Sequence, residues 1–314
     1  MNVRSASALL ASLALLGCDP STPEPDAALS LDASRLETGP LLDADTTDRD
    51  APPTEADDAF SPLTPDATSA RRGAAAWIRA HFEGDAHLTG TFDARTRVET
   101  PALVHDATAC CAKYAFDVRE EAAPDRREVG FVEVEITNLE STDAFGGGVQ
   151  VSGAEGATLF LANVTVDPGW PTWVSYAETN YDGLVLDGAA AIYAEDLTIR
   201  DWNADGGIDD KAPLSQFVRL VVEGAGNRAL RLWGPGPHYL VESRLENEGT
   251  LGEGSLLWFS DCDTVEVRIY RSTFNGSETV PAAAISCDAG SDPNLVYLEV
   301  DPRTTGEMHE MFSY

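Results

Sequence analysis

The chain has 314 residues, with 21 basic against 53 acidic side chains and a net charge of −32. Such a polyanion repels phosphate backbones, which argues against a nucleic-acid partner. Its 43% hydrophobic content is enough for a packed core, so the chain as a whole is not disordered.

Arg4, an apolar run from Ala8 to Leu16, and then Gly17-Cys18 open the chain. The run is too short to span a bilayer and reads as the core of an export signal over residues 1–17. Leu15-Leu16-Gly17-Cys18 resembles a bacterial lipobox. That resemblance implies that Cys18 is lipidated and anchors the protein in the cell envelope, at the periplasmic face or the outer surface.

Residues 18–70 read as a tether. From 19 to 70 there are thirteen acids, two arginines and eight prolines, a net charge of −11, and Phe60 is the only aromatic residue. No apolar period runs through the segment, so it buries too little surface to offset its ordering entropy. Residues 71–314 keep 18 basic and 40 acidic side chains, a net charge of −22.

Residues 71–130 are expected to form an N-terminal cap and the first turns of a repeat. Ser69 to Gly84 reads as an amphipathic helix with a serine cap and a glycine stop, placed to cover an open strand edge. From 131 to 314 short β-rich runs alternate with Gly, Asn and Asp. Val149, Leu184, Ile208, Leu230, Leu257 and Ile285 are equivalent, at steps of 35, 24, 22, 27 and 28 residues. A period in the mid-twenties predicts stacked β coils. Asn180-Tyr-Asp-Gly183 and Asn203-Ala-Asp-Gly206 repeat 23 residues apart, with Asn227 following, and suggest asparagines stacked at corners.

These runs, such as Leu159–Val166 and Val267–Phe274, resemble the pectin-lyase-like right-handed parallel β-helix superfamily. The expected class is all-β, a solenoid with a short capping helix. Cys262 and Cys287 lie 25 residues apart, about one period, so a disulfide between neighbouring coils is expected. Cys110 and Cys111 are adjacent and ill-placed to pair with each other.

Strand alternation places the candidate site. With Leu184, Ile208, Leu230 and Leu257 inward, Asp187, Asp209, Lys211, Arg231, Trp233 and Trp258 point outward on neighbouring coils. Asp210 falls at an inward position, where a carboxylate needs a partner. The family resemblance implies calcium held by Asp182, Asp205, Asp209 and Asp210, with Lys211 or Arg231 as the base of a β-elimination on a uronate glycan. Against a base role, Lys211 among carboxylates should hold its proton tightly, and aspartates beside glycines are also ordinary turn residues. Trp233 with Trp258, and Trp170 with Trp173, are candidate sugar-stacking platforms beside Asp187. The five histidines show no metal or nucleophile spacing and read as structural.

Two functions therefore stand. The first is a monomeric, lipid-anchored protein that binds a polysaccharide or envelope glycan without catalysis. The second is a calcium-dependent polysaccharide lyase. The first is favoured, because no complete catalytic set assembles. On the lipobox reading, Cys18→Ser should move the protein from the membrane pellet to the soluble fraction on ultracentrifugation. A variant that still sediments would remove the anchor.

Overall fold

The computed structural model describes residues 73–82, 88–93, 114–119, 128–137, 145–152, 156–167, 175, 178, 180–202, 205–224, 226–248 and 254–313. The signal, the tether, Trp170, Trp173, Cys110 and Cys111 lie outside the described residues.

The described chain is mostly β-strand, and every pairing between its strands is parallel. A seven-stranded sheet contains β2 (Tyr114–Arg119), β4 (Phe145–Ser152), β6 (Asn180–Leu186), β8 (Gly206–Asp210), β11 (Arg228–Leu232), β14 (Ser255–Phe259) and β17 (Ile285–Cys287), in that order. The larger sheet runs β1 (Leu88–Asp93), β3 (Glu128–Thr137), β5 (Ala157–Asp167), β7 (Ala189–Trp202), β9 (Ser215–Val218), β12 (His238–Val241), β15 (Glu266–Tyr270) and β18 (Asn294–Tyr297). Beside this path the short strands β10 (Val221–Gly224), β13 (Arg244–Asn247) and β16 (Thr273–Phe274) pair with one another, and β10 with β7. The chain thus visits the two sheets in turn, and each visit pairs with the one before.

The register is the one the apolar spacing requires. Val149 pairs with Leu184, Leu184 with Ile208, Ile208 with Leu230, Leu230 with Leu257, and Leu257 with Ile285. The first five of these are fully buried, and they share one core with Phe131, Leu159, Ile192, Phe217 and Leu240 of the larger sheet.

The corners differ from expectation. Asp182 pairs with Gly206, not with Asp205, so the two Asn-x-Asp-Gly motifs are one residue out of step. Stacking the motifs would have turned Leu184 or Ile208 out of the core, and the apolar column wins. The recurrent left-handed position lies on the larger sheet instead. Glu133, Asn163, Asp196, Arg219, Glu242 and Arg271 occupy equivalent places with φ between 47° and 55°. Only one of them is asparagine. The bend is held by ion pairs instead, Arg219 Nε to Asp196 Oδ1 at 2.7 Å and Arg303 to Glu242 at 2.9 Å.

Helix α1 (Gly73–His81) falls within the expected segment, and Ser69 and Gly84 lie outside the described residues. It packs on the outer face of β3 and β5, burying Ala74, Ala75 and Ile78 against Val132, Phe160 and Ala162. The Ala74 N–H donates to Glu195 on β7 (3.1 Å). Met308, Met311 and Phe312 cover the same face, where Trp77 Nε1 donates to Glu310 (3.3 Å) and the His309 ring stacks on Tyr193 at 4.3 Å. Helix and C-terminal segment close over the middle strands as a clasp.

Cys262 and Cys287 form the expected disulfide, with Cα atoms 5.6 Å apart. It ties the loop after β14 to β17 across one repeat. The bridge closes a loop whose entropy in the unfolded chain is worth about 3 kcal/mol. Cys262→Ala/Cys287→Ala should lose about that much in urea denaturation. An unchanged midpoint would show that the bridge contributes nothing to the folded state.

Candidate functional site

Three neighbouring strands, β6, β8 and β11, build the site. Pairing puts Val185, Asp209, Arg231 and Trp258 in one outward column, and Asp182, Gly206, Arg228 and Ser255 in another. Asp205 sits just before β8, where its N–H reaches the Tyr181 carbonyl (3.1 Å). Neighbouring strands lie ~4.8 Å apart, so side chains in a column are forced into contact.

Arg231 stands at the centre. Its Nη1 lies 3.1 Å from Asp205 Oδ2 and 3.8 Å from Asp182 Oδ1, and its Nε lies 3.5 Å from Asp209 Oδ1. Asp205 Oδ1 also accepts from Asn227 (2.8 Å) and Arg228 (3.0 Å). Asn180, with its amide nitrogen turned toward the carboxylates, donates to Asp205 and Asp182 at 3.2 and 3.3 Å. All three aspartates and Arg231 are buried. Burial first, and then the charge of Asp209, push the Asp182 carboxyl well above the ordinary carboxylate range, while Arg231 pulls it down. A Cβ at Gly206 would fall on the Asp182 carboxylate, so a larger residue here would push that side chain out of its place in the cluster.

The outer rim carries the remaining residues. Trp233 Nε1 donates to Asp209 Oδ1 at 2.6 Å, and its ring is 37% exposed. Lys211 Nζ lies 3.5 Å from Asp187, 3.9 Å from Asp209 and 5.4 Å from the Trp233 ring centre. Trp258 is buried, with its centroid 4.8 Å from that of Trp233 and the Arg231 guanidinium 5.3 Å from its own centre. It backs Trp233 and offers no open face of its own.

Among the described residues, Asp182, Asp187, Asp205, Asp209, Lys211, Arg231, Trp233 and Trp258 lie together and Asp210 does not, while Trp170 and Trp173 lie outside the described residues. Asp210 belongs to the inward column between Leu186 and Leu232 and is fully buried. It accepts the Ala212 N–H (3.0 Å) and shares a short hydrogen bond with Ser215 Oγ. Ser215 Oγ in turn lies 2.8 Å from His238 Nδ1, and His238 Nε2 lies 3.0 Å from the Gly234 carbonyl. Arg228, Ser215 and His238 are absent from the sequence-based set. The signal for the last two was present: they stand 23 residues apart, one period, and occupy equivalent places on β9 and β12.

The arrangement is suited to holding a ligand and poorly suited to abstracting a proton. Arg231 is engaged by three carboxylates, and Lys211 stands between two. A calcium ion shared by Asp182, Asp205 and Asp209 would have to displace the guanidinium on which they converge. Among the described residues no group of three His, Cys, Asp or Glu side chains is disposed to hold a metal ion. No family model, curated protein or solved structure matches the chain.

The inward trio has a definite proton inventory. Burial raises Asp210 from 3.8 to about 7, and its hydrogen bonds to Ser215 and Ala212 only partly oppose this. Burial lowers His238 from 6.5 to about 4. Ser215 Oγ–H donates to Asp210, and His238 Nε2–H donates to the Gly234 carbonyl. Alone, Asp210 makes stability fall as pH rises from about 4 to about 7, because the folded state keeps a proton the unfolded chain has lost. His238 alone makes it rise from about 4 to 6.5, because the unfolded chain binds the extra proton there. In the wild type the two slopes oppose each other. His238→Asn should therefore be less stable at pH 7 than at pH 5, and Asp210→Asn the reverse, in paired thermal melts. Parallel profiles for the two variants would break the coupling.

Proposed function

We propose that this is an exported, lipid-anchored protein whose folded part is a right-handed parallel β-helix that binds polysaccharide on the flank carrying Trp233. Alternate visits to two parallel sheets, one per repeat of 22–35 residues, support the β-helix. The observation that carries the binding role is Trp233, a part-exposed indole whose N–H is fixed by Asp209 and whose ring is backed by Trp258. A pre-set aromatic face loses little entropy on contact with a sugar ring. Asp187 and Lys211, more than half and one-third exposed, offer hydrogen-bond partners for hydroxyls beside it. A calcium-dependent lyase is the weaker reading, since it needs a free base where Arg231 and Lys211 are both ion-paired.

Titration against neutral, uronate and amino-sugar polysaccharides, followed by tryptophan fluorescence with and without calcium, tests this. At least one polymer should bind independently of calcium, and Trp233→Ala should weaken it tenfold or more, about 1.4 kcal/mol. Calcium-dependent release of unsaturated product absorbing in the near ultraviolet would establish the lyase instead. Unchanged affinity in Trp233→Ala would remove the flank from the binding role.

A further inference from the structure

Strands β17 and β18 end the two sheets among the described residues. A terminal strand leaves one row of backbone N–H and C=O groups without a partner strand. In β18 this row can be assigned. The Leu298 N–H bonds to the Ile269 carbonyl (2.7 Å) on β15, so alternation turns the N–H and C=O of Tyr297 away from the sheet. On β17 the Asp288 N–H reaches the Phe259 carbonyl (2.9 Å), which turns the backbone of Cys287 outward in the same way.

The side chains around β18 are apolar and acidic. Three large apolar side chains are exposed among the described residues, and two of them, Tyr297 (44%) and Val300 (59%), lie here. The Tyr297 hydroxyl accepts the Val280 N–H (3.0 Å), which fixes the ring beside the edge. Residues 275–301 contain Glu278, Asp288, Asp292, Glu299 and Asp301 but no Lys, Arg or His. The first four of these acids are exposed.

We propose that the open edge of β18 is a docking site for an extended, basic segment of a partner protein, which adds to the sheet as a further strand. The Tyr297 N–H and C=O and the Leu295 carbonyl supply the backbone hydrogen bonds, since the Leu295 N–H already bonds to the Pro293 carbonyl (3.0 Å), and Tyr297, with Val300 just beyond the strand, receives apolar side chains. The acidic rim selects for lysine or arginine at the remaining positions. The same rim disfavours a second copy of this chain, because two such edges would set acid against acid.

The probe is a fluorescein-labelled ten-residue peptide of alternating lysine and valine, with a glutamate–valine peptide as control, titrated against the full chain by anisotropy at physiological salt. The basic peptide should bind and the acidic one should not. Asp288→Asn/Asp292→Asn/Glu299→Gln should weaken binding at least tenfold. Glu178→Gln/Asp201→Asn/Glu248→Gln, which removes three exposed acids elsewhere, should leave it unchanged. Hydrogen exchange at the Tyr297 amide should slow when the peptide binds, and that readout on the wild type decides the matter even if the triple variant fails to fold. Equal weakening by both triple variants would reduce the effect to general attraction by a polyanion. Unaltered exchange at Tyr297, or dimerisation of the wild type through this edge, would overturn the proposal.

Discussion

Parallel strands stacked in register place every side chain directly over its counterpart one repeat away. At ~4.8 Å there is no room for indifference between neighbours. An apolar column gains from this, and Leu184, Ile208, Leu230 and Leu257 form one. A charged column of a single sign would repel itself along its whole length. The chain avoids that twice over. Next to the core column, Asp209 meets Arg231. Along the left-handed bend, Asp196 pairs with Arg219, and Glu242 and Arg271 then alternate in sign at the next two places, with Glu242 paired to Arg303. In a chain of net charge −32, the scarce cations are spent where stacking would otherwise set acid upon acid.

The same constraint explains which features the sequence reveals. The apolar column is periodic and strongly selected by burial, so the six equivalent positions from Val149 to Ile285 can be found by spacing alone. The disulfide follows from that period, and so do the outward places of Asp209, Arg231 and Trp233. Corners are less legible, because several residue types tolerate a left-handed backbone once an ion pair or neighbouring strand supports it. Asparagine was the obvious choice by propensity, yet Glu133 and Arg219 do the same work. The placement of α1 was hidden for another reason. Its amphipathic pattern shows that one face is buried, but not which surface covers it.

Asp209 and Asp210 show how one strand serves two chemistries. Adjacent residues point to opposite faces, so the first joins the Arg231 cluster while the second enters the core column. An unpaired carboxylate between Leu186 and Leu232 would be costly. Ser215, Ala212 and the retained proton make it tolerable, and His238 terminates the chain on the Gly234 carbonyl. Sequence alone marks Asp210 as a departure from pattern but gives no partner, because Ser215 and His238 look unremarkable until the repeats are aligned.

Parallel strands that each pair only with their neighbours resemble a zipper, able to open one tooth at a time from either end. The clasp of α1 and residues 308–312 changes that behaviour. Trp77 bonds to Glu310 across 233 residues of chain, and both segments rest on strands in the middle of the larger sheet. The first and last parts of the described chain therefore depend on each other and on the centre. Loosening either end strips cover from Phe160 and Val218, and the cost is felt where the stack would otherwise be indifferent. Such a clasp couples the two segments to the strands beneath them, which favours concerted unfolding over fraying from one end.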